Sequence, residues 1–177
     1  IDRVKASVDL GKVIYPNKKV SNMRALIVFY SRTGTTKLIA NKLLASLICE
    51  SEEIFDEKNR SGPLGWLGGG RDASNKVLTK IKTTKLNPAN FDIVILGSPV
   101  WVGNAAPALR TYIFENKAKL KKVAFFCTLG GKDSSQFFRD VEEICGQKPV
   151  ATLAISTRDA KNSDSDTKVS VFVKNIK

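Results

Sequence analysis

Ala25-Leu26-Ile27-Val28-Phe29-Tyr30-Ser31-Arg32-Thr33-Gly34-Thr35-Thr36 begins with six apolar or aromatic residues and closes on a hydroxyl-rich turn. An unbroken apolar run of this length predicts a strand buried on both faces, as in a parallel sheet. The Ser/Thr/Gly segment behind it predicts a helix start. Such a start offers unpaired backbone N–H groups and the positive end of the peptide dipole, so a phosphate placed there meets donors already aimed at it. Ser31, Thr33, Thr35 and Thr36 add hydroxyls, and Gly34 lets the backbone come close to an anion. A single Ser or Thr at such a junction is accounted for as a helix cap. Four in six residues exceed what one cap uses, and a phosphate employs them.

Two other phosphate loops are excluded. No G-x-x-x-x-G-K-[ST] occurs, which argues against an ATP or GTP hydrolase. Gly68-Gly69-Gly70-Arg71-Asp72-Ala73 matches G-x-G-x-x-A but follows Pro63, Gly65 and Trp66 instead of a strand, the wrong context for a dinucleotide fingerprint.

The chain of 177 residues, 42% of them hydrophobic, is sized for one domain with a substantial core. It contains no histidine. Ser-His-Asp and Cys-His nucleophile systems are therefore excluded, as are imidazole-ligated metal sites. Cys49, Cys127 and Cys145 are odd in number and lie in apolar surroundings, which predicts buried free thiols. No apolar window reaches the ~18 residues of a membrane span and no signal-peptide stretch is evident, so a cytoplasmic, membrane-free location is expected. The formal charge of +12 predicts a basic surface. No basic helix, zinc finger or aromatic-interleaved strand accompanies it, and no nucleic-acid partner is expected.

Residues 1–22 show weak periodicity and are read as an N-terminal extension or appended segment outside the fold, with a short strand at Val13–Tyr15 as the alternative. Residues 23–177 then alternate apolar runs with amphipathic stretches, the pattern of βα units. A helix is expected over Thr35–Leu47 and a more polar edge strand over Ser51–Phe55. Asn59–Gly70 reads as a glycine-rich loop in which Trp66 either packs on the core or covers an aromatic ligand. An amphipathic helix is expected over Arg71–Ile81. Phe91–Gly97 is the next strand, and Ser98–Asn104 is read as a loop facing the mouth of the sheet, with Asn104 capping the following helix. Val123–Cys127 is the fourth strand and ends in Thr128-Leu129-Gly130-Gly131. Phe137, Phe138, Val141, Ile144 and Cys145 form a core stripe, capped by Asp133 or Ser134. Val150–Ile155 is the fifth strand, and Val169, Phe172, Val173 and Ile176 mark a closing helix.

Five such units predict an α/β, doubly wound five-stranded parallel sheet. Receiver domains of response regulators need an acidic pair where this chain has Ser31 and Arg32, and are set aside. The sequence resembles the flavodoxin family. Ser31-x-Thr33-Gly34-x-Thr36 is similar to the family's phosphate loop. Gly97-Ser98-Pro99-Val100-Trp101-Val102-Gly103-Asn104 is similar to its flavin-ring loop, especially in the short FMN-binding branch related to quinone reductases. The resemblance covers nearly all of Met23–Ile155. It implies a flavodoxin-like sheet of order 2-1-3-4-5 with FMN as cofactor at the switch point between the first and third strands. It places the phosphate on Ser31, Arg32, Thr33, Gly34, Thr35 and Thr36. Ring contacts are implied for Pro99, Val100, Trp101, Val102, Gly103 and Asn104, and for Thr128, Leu129, Gly130 and Gly131. Trp66 and Gly68 are further ring contacts, and Gly68 or Gly103 is the candidate peptide for hydrogen bonding to flavin N5.

Two functions follow from the resemblance: an electron carrier between redox partners, and, as the alternative, an FMN-dependent NAD(P)H oxidoreductase of the quinone reductase type. A binding module that has lost its flavin is the third, disfavoured class. Flavodoxins are commonly acidic and this chain is basic, so an acidic redox protein is the expected partner, with Arg71, Lys76 and Lys80 as its docking candidates. Lys117, Lys119, Lys121 and Lys122 are read as a solvated face. A monomer or small homo-oligomer is expected.

Overall fold

The computed structural model describes residues 23–177. The expected N-terminal extension, with its alternative strand at Val13–Tyr15, lies outside the described residues. The elements run β1 (Ala25–Tyr30), α1 (Thr35–Ser46), β2 (Cys49–Ile54), α2 (Gly62–Ser74), β3 (Ile93–Trp101), β4 (Asn104–Ala105), α3 (Pro107–Asn116), β5 (Val123–Leu129), α4 (Ser135–Cys145), β6 (Thr152–Ser156) and α5 (Ser163–Ile176).

The sheet order is β2-β1-β3-β5-β6, all parallel, with β4 paired antiparallel to the end of β3. Counted over the parallel strands this is the expected 2-1-3-4-5 order. β4 is an addition: Ser98–Asn104 is not a free loop, because β3 runs on through Pro99, Val100 and Trp101 and folds back as a hairpin.

The continuous apolar runs become strands because both faces of a parallel sheet are covered. Every residue of β1 and β5 is buried. Alternation then sorts the side chains into two cores. Leu26, Val28, Val94, Leu96 and Phe125 face α3 and α4, while Ile27, Phe29, Ile95 and Phe126 face α1 and α5. Gly97 lies on the second face, where a Cβ would come within 2.0 Å of Phe126 Cζ. The glycine makes room for that ring.

The stripes on α4 and α5 pack as expected, with Phe137, Val141, Cys145, Val169, Phe172, Val173 and Ile176 buried. At the start of α4, Asp133 Oδ1 accepts from the Ser135 amide at 2.8 Å, so Asp133 takes the capping role. All three cysteines are free, and burial pushes the thiols up to about 11 at Cys49 and about 12 at Cys127 and Cys145.

The stretch after β2 departs from expectation. The predicted loop Asn59–Gly70 is mostly α2, and the predicted helix Arg71–Ile81 ends at Ser74. Residues beyond it run extended beside β2: Ile81 bridges Asp56, the Lys82 amide donates to Phe55 O at 2.8 Å, and the Glu57 amide donates to Lys80 O at 2.9 Å. The reason lies in tertiary contact. A Cβ at Gly65 would sit 2.3 Å from the Arg60 carbonyl carbon, and one at Gly69 would sit 2.6 Å from the Trp101 ring. The glycines that lower helix propensity are what let this helix approach its neighbours. The G-x-G-x-x-A match lies inside α2, away from any strand-to-helix turn.

An ion-pair cluster fixes the start of α2. Arg60, 5% exposed, donates from Nε to Asp56 Oδ2 at 2.8 Å and from Nη1 to Asp72 Oδ2 at 2.5 Å. Lys58 also donates to Asp72, at 2.8 Å. Hydrogen bonds from Lys58 and then Arg60 hold the Asp72 carboxyl below its ordinary range. Its stabilising contribution is complete above the unfolded carboxylate pKa of about 4 and is lost as pH falls through the lowered folded value. Stability followed by denaturant midpoint should therefore fall on acidification below about pH 4, and Asp72→Asn should flatten part of that slope. An unchanged slope would show that Asp72 is not coupled to folding.

Candidate functional site at the carboxyl ends of the strands

Parallel strands bring their carboxyl ends to one edge, and three of the predicted stretches meet there. In the register, Pro99 lies beside Thr128 and Ser98 beside Cys127. The turn after β1 is joined to the same place: Thr36 Oγ1 and Thr128 Oγ1 share a 2.8 Å hydrogen bond, both residues being buried. The start of α1 is thus tied to the end of β5, which pairs with the end of β3.

Gly34 precedes α1 with φ +90°, a backbone state costly for any residue with a Cβ, and the place a Cβ would take is open. Ser31 Oγ accepts from the Gly34 and Lys37 amides, each at 3.2 Å. The four hydroxyls therefore divide their roles. Ser31 caps the helix, Thr36 is committed to Thr128, and the exposed Thr33 and half-buried Thr35 remain for a ligand beside the first-turn amides of Thr35 and Thr36. Residues 31–36 contain a guanidinium, Arg32, and no carboxylate. This donor set suits a dianion.

The β3–β4 hairpin turns on Val102 (φ 48°) and Gly103 (φ 78°), the positive pair of a two-residue turn that matches strand twist. A β-branched residue is costly in that region. The turn is held by what surrounds it. Asn104 Nδ2 donates to Val102 O at 3.1 Å, and Ser98 Oγ donates to Pro99 O at 2.7 Å while accepting from the Ala106 amide at 3.0 Å. Asp140 on α4 accepts from the Ala105 amide at 3.1 Å and from Arg110 on α3 at 2.6 Å. Asn104 is spent on this turn and does not cap α3, which starts from Ala106 with Pro107 in its first turn. Its Oδ1 is buried without a partner, as are Arg110 Nε and Tyr112 Oη.

Trp101 packs edge-on against Tyr30, ring centres 5.7 Å apart, and lies over Gly69. Burial, with Asp56 adding to it, pushes the Tyr30 phenol up to about 12, so it stays neutral. Trp66 is 58% exposed and does not pack back on the core. Trp66, Val100, Trp101 and Val102 instead line one groove of about 350 Å³ with Leu67 and Arg71. Gly68 lies in the interior of α2, where its amide belongs to the helical ladder, so of the two candidate mobile peptides only the one at Gly103 is offered by a turn. Leu129, Gly130 and Gly131 border a different cavity, toward β6.

The Asp140 cluster is legible only in hindsight. Asp140 falls between Phe137, Val141 and Ile144, a carboxylate on an apolar stripe, and that anomaly was the available signal. Lys76 reaches Glu143 at 2.9 Å and Asp140 at 3.6 Å. Lys76 is engaged within the molecule although, like Arg71 and Lys80, it is exposed. Among the described residues no cluster of His, Cys, Asp or Glu could hold a metal ion, and no helix is long and apolar enough to cross a membrane.

No family model and no curated protein matches the chain. Solved structures do. A flavoprotein of Lactobacillus acidophilus NCFM in complex with FMN is 22% identical with a TM-score of 0.67, covering 85% of this chain and 99% of that one. The two-electron reduced flavodoxin of Megasphaera elsdenii is 18% identical with a TM-score of 0.55, covering 85% and 98%. A flavodoxin of Streptococcus pneumonia TIGR4 is 16% identical with a TM-score of 0.51, covering 86% and 97%. The likeness and the strand order together define the class: this is a flavodoxin-like α/β fold.

Proposed function

We propose that this protein binds FMN and carries electrons between redox partners. The observation that carries the reading is the convergence of the turn after β1, the β3–β4 hairpin and the turn after β5 at one edge of the sheet, tied by the Thr36–Thr128 hydrogen bond. The residues fit the group. The amides of Thr35 and Thr36 and the hydroxyls of Thr33 and Thr35 would hold the phosphate, with Arg32 nearby and no carboxylate to repel it. Pro99–Asn104 and Thr128–Gly131 would border the ring, and the exposed face of Trp66 would limit water at the groove beside them. Structural neighbours that are flavodoxins, or are solved with FMN, support the reading.

Bound FMN supplies electron transfer at its ring. The chain's own part is to hold and shield it. With no histidine present, proton delivery at the site would fall to solvent, a carboxyl or a lysine side chain. Arg71 and Lys80 are the exposed cations offered to an acidic partner.

Purified protein should be yellow and release FMN on denaturation. Thr33→Val with Thr35→Val removes two hydrogen bonds to an anion, each worth about 1.5–3 kcal/mol, so the dissociation constant read from flavin fluorescence should rise roughly 100-fold or more. Thr36 is left intact because its loss would orphan Thr128. An unchanged constant contradicts the phosphate placement, and a colourless protein that takes up no added FMN sinks the reading. Anaerobic mixing with NADPH should leave the flavin oxidised; rapid bleaching selects the oxidoreductase alternative.

A further inference from the structure

Beside the turn after β5, and separate from the Trp66–Trp101 groove, lies a cavity of about 450 Å³. Its size is that of small-molecule sites. Lys132 from the β5–α4 turn, Arg158 from the β6–α5 connection and Lys168 from α5 converge on it, against one carboxylate, Asp159. These cations come from three separate elements, so no single solvated helix face explains their meeting.

The frame around them is fixed. The Thr157 amide donates to Leu129 O at 2.8 Å, tying the two connections together, and the Asp159 amide donates to Ser156 Oγ at 3.1 Å. Lys168 pairs with Asp164 at 2.7 Å on the surface, both side chains about half exposed, and also feels the charge of Asp159. Such a pair is worth little and exchanges readily for a better anion. Arg158 brings a guanidinium fork suited to phosphate or carboxylate.

We infer that this cavity is a binding site for a small anionic molecule bearing phosphate or carboxylate groups. Resting on the FMN reading, its place beside Leu129, Gly130 and Gly131 makes it where a small anionic redox partner is held next to the cofactor. The basic character of the chain then serves a small anion as well as an acidic protein.

The test is an amide NMR titration of the isotope-labelled full chain with inorganic pyrophosphate and, separately, citrate. Saturable shifts are expected at Gly130, Gly131, Ser156 and Arg158, and the tighter probe distinguishes a phosphate from a carboxylate ligand. Arg158→Glu should weaken binding by about tenfold or more, and Arg158→Gln by less. Reversing the same charge at Lys121 or Lys122, at the opposite end of β5, should change it by less than about threefold if the site and not the net charge binds. Absent shifts at the cavity, or equal affinity in Arg158→Glu, would overturn the proposal. Shifts confined to residues 33–37 would overturn it while supporting the phosphate turn. Shifts at the cavity in a protein that takes up no FMN would leave the anion site standing and remove the FMN reading alone.

Discussion

Asp140→Ala is expected to lower the free energy of unfolding by about 3–5 kcal/mol, the cost of stripping one partner from a buried ion pair. Asp140 is 1% exposed and serves both the Arg110 guanidinium and the Ala105 amide. Without it a buried cation loses its counter-charge and a backbone donor is orphaned. Arg110 Nε already lacks a partner, so the guanidinium has no spare bond to fall back on. For a chain of this length the melting temperature should drop by roughly 6–20 °C. Because the Ala105 amide anchors the hairpin, the FMN affinity proposed for this site should fall as well. The pair need not be the most stable solution: Asp140→Leu with Arg110→Met should recover part of the loss, since matched apolar groups often equal a buried ion pair, while the Ala105 amide stays without its acceptor. A loss under about 1 kcal/mol in Asp140→Ala would mean that the cluster is solvated in practice.

Gly97→Ala should be nearly as damaging, for a steric reason. The new methyl would lie 2.0 Å from Phe126 Cζ and 2.1 Å from Cε1, in the middle of a parallel sheet where Phe126 is fully buried. A close-packed interior gives the ring little room to yield, so the upper end of the overpacking range, about 3 kcal/mol or more, is expected from the denaturant midpoint. Phe126→Leu in the same chain should relieve part of it, with a coupling of about 1 kcal/mol or more between the two sites. Additive effects would show that the ring is not what Gly97 accommodates. The contrast with Gly34 is instructive. There a Cβ meets nothing within 4 Å, and only the left-handed backbone demands glycine.

The strand readings at Ala25–Tyr30 and Val123–Cys127 held, the second running on through Thr128 and Leu129, because burial on both faces is recorded residue by residue in an apolar run. The candidate site was partly legible for the same reason: the turns proposed to form it directly follow those strands. What the hydroxyls do once there was not. Ser31 caps and Thr36 reaches across to Thr128, and neither role shows in a motif that counts hydroxyls.

Sequence alone determined the class of fold, because periodicity and the handedness of βα units are local properties that add up; the strand order came with the resemblance to flavodoxins, and the proposed ligand edge with the turns that follow the strands. Tertiary structure decided that a glycine-rich stretch becomes α2, that Asn104 stays in a hairpin instead of capping α3, and that Arg60, Arg110 and Asp140 are buried. Each depends on a partner remote in the chain, Trp101 over Gly69 or Asp140 against Arg110. A close approach or a matched charge has no local periodicity to announce it.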